Sequence, residues 1–125
     1  MDVFGDHWKN HFERISADWL ARVSADDLVL LPGDLSWAMR LEMSLKHARA
    51  RDAGAPITAM MHYPPLTDEL PGFSDILEAY DVEDCVYGHL HGASIHGAVR
   101  GERRGVRYHQ VSCDGLDFKL YLLYK

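Results

Sequence analysis

Short, mainly apolar runs alternate with helical patterns along this chain, and the alternation limits the available folds more than any other feature. The runs are Leu28–Leu31, which Pro32 follows, the segment "ITAMMH" from Ile57 into His62, and the segment "DCVYG", which ends at Gly88. Continuous apolar runs of this length are typical of strands buried on both faces of a sheet. The sequence therefore predicts strands of an α/β sheet with helices packed around it.

Helical patterns surround these runs. Apolar residues recur at spacings of three and four over Asp6–Val23, which predicts an amphipathic helix. A second helix is predicted over Trp37–Asp52, because glycine and proline follow soon after it, and a shorter third helix over Ser74–Tyr80.

The C-terminal part is rich in β-forming residues. The stretches "VRYHQVSC" and "DFKLYLLYK" lie on either side of Asp114-Gly115, which predicts an antiparallel hairpin there, and the basic stretch Arg100–Arg107 predicts a solvated turn. The resulting order, α-β-α-β-α-β-β-β, indicates the α/β class, a layered mixed β-sheet flanked by helices. No linker or repeat divides the 125 residues, so we expect one domain over 1–125.

Composition excludes several classes of function. The formal net charge of −6 argues against nucleic acid and anionic membranes as partners, although Arg100–Arg107 leaves a nucleic-acid contact as an alternative. The first ten residues resemble neither a signal peptide nor a membrane span, so we expect a cytoplasmic protein. Cys85 and Cys113 are too few for a disulfide framework, and we expect both to be reduced core thiols.

Polar side chains follow the ends of the predicted strands. They are Asp34, His62, His89 and His91. Functional groups of open α/β sheets gather beyond the carboxyl ends of the strands, so we expect these four on one rim. One carboxylate and three imidazoles suit Zn²⁺, Mn²⁺ or Fe. Each side chain also fits a simpler role, Asp34 as a turn or helix cap and the histidines as hydrogen-bonded polar residues.

The segments "LLPGDLSWA", "MMHYPP", "VYGHLHG" and "VSCDGLDFKL" resemble the calcineurin-like metallophosphoesterases, especially a bacterial branch of predicted phosphohydrolases. The resemblance implies an α/β sandwich and a phosphatase-type hydrolase, in which a metal-activated hydroxide attacks a phosphomonoester or phosphodiester. It implies one or two divalent ions, Mn, Fe or Zn. Asp34 would bridge the two ions, His62 and His89 would bind one of them, and His91 would bind the other.

Two further motifs of that family, Asp-x-His and Gly-Asn-His, have no counterpart in the sequence. We therefore expect a shortened domain with fewer metal ligands, lacking the family's histidine that assists the leaving group. No catalytic residue is assigned beyond the four metal ligands. The alternative hypothesis is a catalytically impaired remnant that binds metal or phosphate, or an interaction subunit that forms a homo-oligomer through an open sheet edge.

Overall fold

The computed structural model describes residues 6–24, 38–65 and 72–124. The predicted strand Leu28–Leu31 and the candidate ligand Asp34 lie outside these ranges. Their predicted roles therefore stay predictions.

In the part of the chain that the structure describes, a mixed sheet of four strands organises the fold. Its strands are β1 (Thr58–Met61), β2 (Asp84–Tyr87), β3 (Gly101–Arg103) and β4 (Val106–Gln110), in the spatial order β1-β2-β4-β3. β2 runs parallel to β1 and to β4, whereas β3 pairs antiparallel with β4. The α/β class and the mixed sheet predicted from the sequence are confirmed.

The described residues form three α-helices beside the sheet: α1 (His11–Arg22), α2 (Ala38–Arg51) and α3 (Gly72–Ala79). α1 begins later than predicted, because Asp6–Trp8 forms a separate 3₁₀ turn and Asn10 takes a left-handed φ of 54°. α3 begins two residues before the predicted Ser74. No helix in the described ranges is long and apolar enough to cross a bilayer.

The predicted hairpin around Asp114-Gly115 is wrong. The hairpin instead joins β3 to β4 through Arg104 and Gly105, whose φ values of 49° and 84° are both left-handed. Positive φ at both central residues is the signature of a two-residue turn that matches the twist of the flanking strands. Residues 113–118 form turns, and residues 119–124 form no strand. The basic stretch is thus partly the hairpin and not only a solvated turn.

The main core lies where the sheet meets α2 and α3. It contains Leu45, Ala59, Met61, Leu77, Val82, Cys85, Tyr87, Val106 and Tyr108. All four residues of β2 are buried, as expected for a central strand whose faces are both covered. This rigid centre fixes the positions at which the loops after β1 and β2 leave the sheet.

Candidate metal centre

β1 and β2 deliver two of the predicted ligands to one place. The strands pair in parallel, with Met61 opposite Tyr87, so His62 and Gly88 leave the sheet side by side. The Gly88 N–H donates a hydrogen bond to the carbonyl of His62 across 3.2 Å. One residue later, Nδ1 of His89 lies 3.1 Å from Nε2 of His62. The structure thus brings His62 and His89 together at the carboxyl ends of neighbouring parallel strands.

A tight turn directs the His89 ring. The backbone φ of His89 is 66°. The Leu90 N–H donates a hydrogen bond to the Gly88 carbonyl at 2.8 Å, which closes a γ-turn centred on His89. Turns of this kind with positive φ are rare and strained, and strained backbone clusters at functional sites. Here the strain accompanies a ring turned back towards His62.

The separation of the two ring nitrogens suits a shared ion. Zinc–nitrogen bonds of about 2.0–2.1 Å in tetrahedral geometry place two ligand nitrogens about 3.3 Å apart. The observed 3.1 Å between His62 and His89 is close to that value, and it also permits a hydrogen bond between the rings. The Tyr63 ring lies beside both imidazoles, with centroids 5.0 Å from His62 and 4.5 Å from His89. An aromatic side chain therefore borders the pair.

The third predicted histidine has a different partner. His91 Nδ1 lies 2.8 Å from Oδ1 of Asp114, and the Gly92 N–H donates to Oδ2 of the same carboxylate at 2.8 Å. Burial opposes ionisation of Asp114, but the hydrogen bonds from Gly92 and His91 outweigh it and hold its pKa below its usual range. The His91 and Trp8 rings also pack against each other in an edge-type arrangement, with centroids 5.3 Å apart and planes inclined at 67°.

Sequence reasoning missed Asp114 and Cys113 as members of this region. Within the described ranges, His91, Cys113 and Asp114 form the one group of three potential ligands whose donor atoms all lie within 4.8 Å of one another. The signal available was the stretch "VSCDGLDFKL", but its Asp-Gly pair indicated a hairpin turn.

Both cysteines are free, as predicted, but the prediction that both belong to the core is wrong for Cys113. Cys85 lies in the core, where burial raises its pKa to about 12. Cys113 is partly buried, and burial raises the pKa of this thiol as well.

No third His, Cys, Asp or Glu ligand joins the His62–His89 pair within the described parts of the chain. Asp34, the predicted carboxylate ligand, lies outside them. A complete ligand set at this pair therefore depends on the prediction for Asp34.

Comparison with known proteins adds no relative. No family model, curated protein or solved structure matches this chain. Inference about its function rests on its own residues.

Proposed function

We propose that this chain is a metal-dependent phosphoesterase that hydrolyses a phosphomonoester or phosphodiester. The observation that carries the proposal is the 3.1 Å approach of His62 Nε2 to His89 Nδ1 beyond adjacent strand ends. The sequence resemblance to calcineurin-like metallophosphoesterases predicts this pair as ligands of the same ion. Its motifs supply the reaction class.

Each proposed ligand has a distinct task. His62 and His89 would hold one divalent ion, with Asp34 as the proposed third ligand, and His91 would face a second ion. Such ions would supply Lewis acidity that activates water and neutralises phosphate oxygens. A site with three protein ligands keeps a coordination position for water or substrate. Mn²⁺, Fe and Zn²⁺ all accept this mixture of imidazole and carboxylate.

Access from solvent supports a role in binding a soluble substrate. His89 and His91 are exposed, and Tyr63 beside them is 52% exposed. A phosphorylated small molecule or a phosphodiester could therefore reach the proposed ligands without a large rearrangement of the described residues.

A second candidate is a metal- or phosphate-binding module without hydrolytic activity. It is favoured by the lack of a third ligand at the His62–His89 pair within the described parts of the chain. If the chain is instead an interaction subunit, it would bind its partner through β1, which is an edge strand of the described sheet. Edge strands can pair with another chain, so a second copy is the proposed partner for that form.

The test combines metal binding with turnover. Metal-free protein is titrated with Mn²⁺, Zn²⁺ and, without oxygen, Fe²⁺ in a calorimeter, and hydrolysis of an aryl phosphodiester is then followed. Asp34→Ala, His62→Ala and His89→Ala are compared with wild type. His47→Ala is the matched control, because His47 is an exposed histidine of α2.

We expect binding and turnover in the wild type and in His47→Ala, with loss of turnover in the other three variants. A wild type that binds none of the three ions would overturn the proposal. Binding without turnover above the variants would select the non-hydrolytic module instead. A strictly monomeric protein in sedimentation, over a wide concentration range, would exclude pairing of two copies through β1.

A further inference from the structure

We propose that Asp114 is a positioning residue that sets the tautomer of His91. It would keep the proton on Nδ1, so that Nε2 is presented to a metal ion without a proton. The inference rests on the proposed function for the use of Nε2. The tautomer itself does not depend on that function.

The hydrogen bonds around the carboxylate fix the direction of donation. Oδ1 of Asp114 lies 2.8 Å from His91 Nδ1 and 3.1 Å from the Gly115 N–H, and Oδ2 accepts from the Gly92 N–H at 2.8 Å. An ionised carboxylate accepts hydrogen bonds and donates none. The neutral His91 ring must therefore carry its proton on Nδ1 to keep the first of these bonds.

The surroundings hold this arrangement in place. The Asp114 side chain is only 3% exposed, whereas the His91 ring remains 41% exposed. The backbone N–H of His91 donates to Ser94 Oγ at 3.0 Å, and the Ser94 hydroxyl donates to the backbone carbonyl of His91 at 2.7 Å. With its backbone bonded on both sides and Nδ1 occupied, His91 has Nε2 left as its ligand atom. Histidines that bind metals usually donate their other N–H to a carboxylate, carbonyl or water in this way.

A competing arrangement would make His91, Cys113 and Asp114 direct ligands of one ion. Their donor atoms lie within 4.8 Å of one another, which is compatible with it. Direct coordination through His91 Nδ1 and Asp114 Oδ1 would, however, break the 2.8 Å hydrogen bond between them. It would also require the thiol of Cys113 as a ligand. Positioning preserves every observed hydrogen bond and predicts no role for the thiol.

Asp114→Asn is the decisive substitution, because an amide matches the carboxylate in shape but has only one accepting oxygen. The Gly92 and Gly115 N–H groups are both fixed donors, and the Gly92 bond is the shorter at 2.8 Å against 3.1 Å, whereas the imidazole can change its tautomer. The amide oxygen should therefore turn to Gly92 and its NH₂ group to His91 Nδ1. That orientation forces the His91 proton onto Nε2.

The first readout is the ¹⁵N NMR spectrum of metal-free protein at about pH 8, near which imidazole rings are mostly neutral. A His91→Gln variant assigns the His91 signals among the eight histidines. We expect protonated Nδ1 in wild type and protonated Nε2 in Asp114→Asn. Asp75→Asn is the control, because Asp75 lies on α3 and its side chain is 63% exposed. Protonated Nε2 in the wild type, or an unchanged tautomer in Asp114→Asn, would overturn the inference.

The second readout is metal affinity by calorimetry. We expect Asp114→Asn to weaken Mn²⁺ or Zn²⁺ binding at the His91 site by about 10- to 100-fold, as is usual for the partner of a ligating histidine. Asp75→Asn and Cys113→Ser should bind as wild type does. If Cys113→Ser loses as much metal affinity as His91→Gln does, the thiol coordinates the ion directly, and the positioning role of Asp114 is overturned. If wild type binds no metal, the proposed function fails, and the NMR result still decides the tautomer.

Discussion

Arg107 binds the carboxylate of Asp84 through two parallel hydrogen bonds, from Nε to Oδ1 at 2.8 Å and from Nη2 to Oδ2 at 2.6 Å. His109 Nε2 lies 2.7 Å from Oδ1, and the Tyr124 hydroxyl donates to Oδ2 at 3.1 Å. Asp84 is the first residue of β2, whereas His89 lies two residues beyond its last residue, Tyr87. One end of this central strand thus holds an ion pair between a buried carboxylate and the half-exposed Arg107, and the other end leads to the candidate metal centre.

Stability in acid should depend on Asp84. The hydrogen bonds from Arg107 hold the pKa of this carboxyl well below its usual range, although burial opposes them. The ionised Asp84 carboxylate therefore adds its full share to the free energy of unfolding above the unfolded-state pKa of about 3.9. That share is lost as the pH falls towards the lower pKa of the folded state. Asp84→Asn should lower the free energy of unfolding by about 2 kcal/mol near neutral pH.

Urea titrations of wild type and Asp84→Asn, repeated from neutral to acidic pH, measure this dependence. The difference between the two proteins should narrow below about pH 4. Asp75→Asn removes an exposed carboxylate and should change the free energy of unfolding little at any pH. A difference that stays constant down to acidic pH would contradict a role for the ionised Asp84 carboxylate.

The γ-turn at His89 predicts an unusual preference for glycine. Both His89→Gly and His89→Ala remove the ring, but alanine must still adopt the left-handed φ of 66°. Left-handed backbone costs a residue with a Cβ about 1 kcal/mol relative to glycine, so His89→Gly should be the more stable variant by that amount. Thermal or urea unfolding measures the difference.

The same pair of substitutions at His47 provides the control. His47 lies within α2, where alanine should be more stable than glycine by about 1 kcal/mol. The sign of the difference should therefore reverse between the two positions. A more stable His89→Ala would show that the turn relaxes in solution.

Shared coordination predicts coupling between His62 and His89. If both imidazoles hold one ion, each single alanine variant already damages that site. The loss of binding free energy in the double variant should therefore be smaller than the sum of the two single losses. Calorimetry with Zn²⁺ or Mn²⁺ measures the binding free energies of the wild type, the two single variants and the double variant. The pair His62→Ala and His47→Ala should be additive, and additivity between His62 and His89 would indicate separate roles.

The two thiols should differ in reactivity. Cys85 is fully buried with a pKa raised to about 12, whereas Cys113 is partly exposed. A colourless aryl disulfide at about pH 8 should label Cys113 slowly in the native protein and label Cys85 only after unfolding, because thiolate and access are both required. Cys113→Ser should abolish native labelling. Native labelling that persists in Cys113→Ser would place Cys85 nearer to solvent than the structure does.

Local patterns identified most of the described elements. The apolar periodicity of α1, the length of α2 and the apolar runs of β1 and β2 each depend on neighbours within a few residues, and the sequence records those directly. Errors arose at boundaries and turns. Asn10 interrupts the predicted first helix with a left-handed φ. The hairpin forms at Arg104-Gly105, although Asp114-Gly115 is the stronger local signal for a two-residue turn.

The sequence by itself determined that His62, His89 and His91 follow strands, because a strand's end is a local property. Only the tertiary structure decided which atoms meet: His62 Nε2 with His89 Nδ1, and His91 Nδ1 with the buried carboxylate of Asp114. Those contacts join residues 27 and 23 positions apart. They depend on strand register and on the path of the last turn. Both arise from the packing of segments that are distant in the sequence, so no local periodic pattern predicts them.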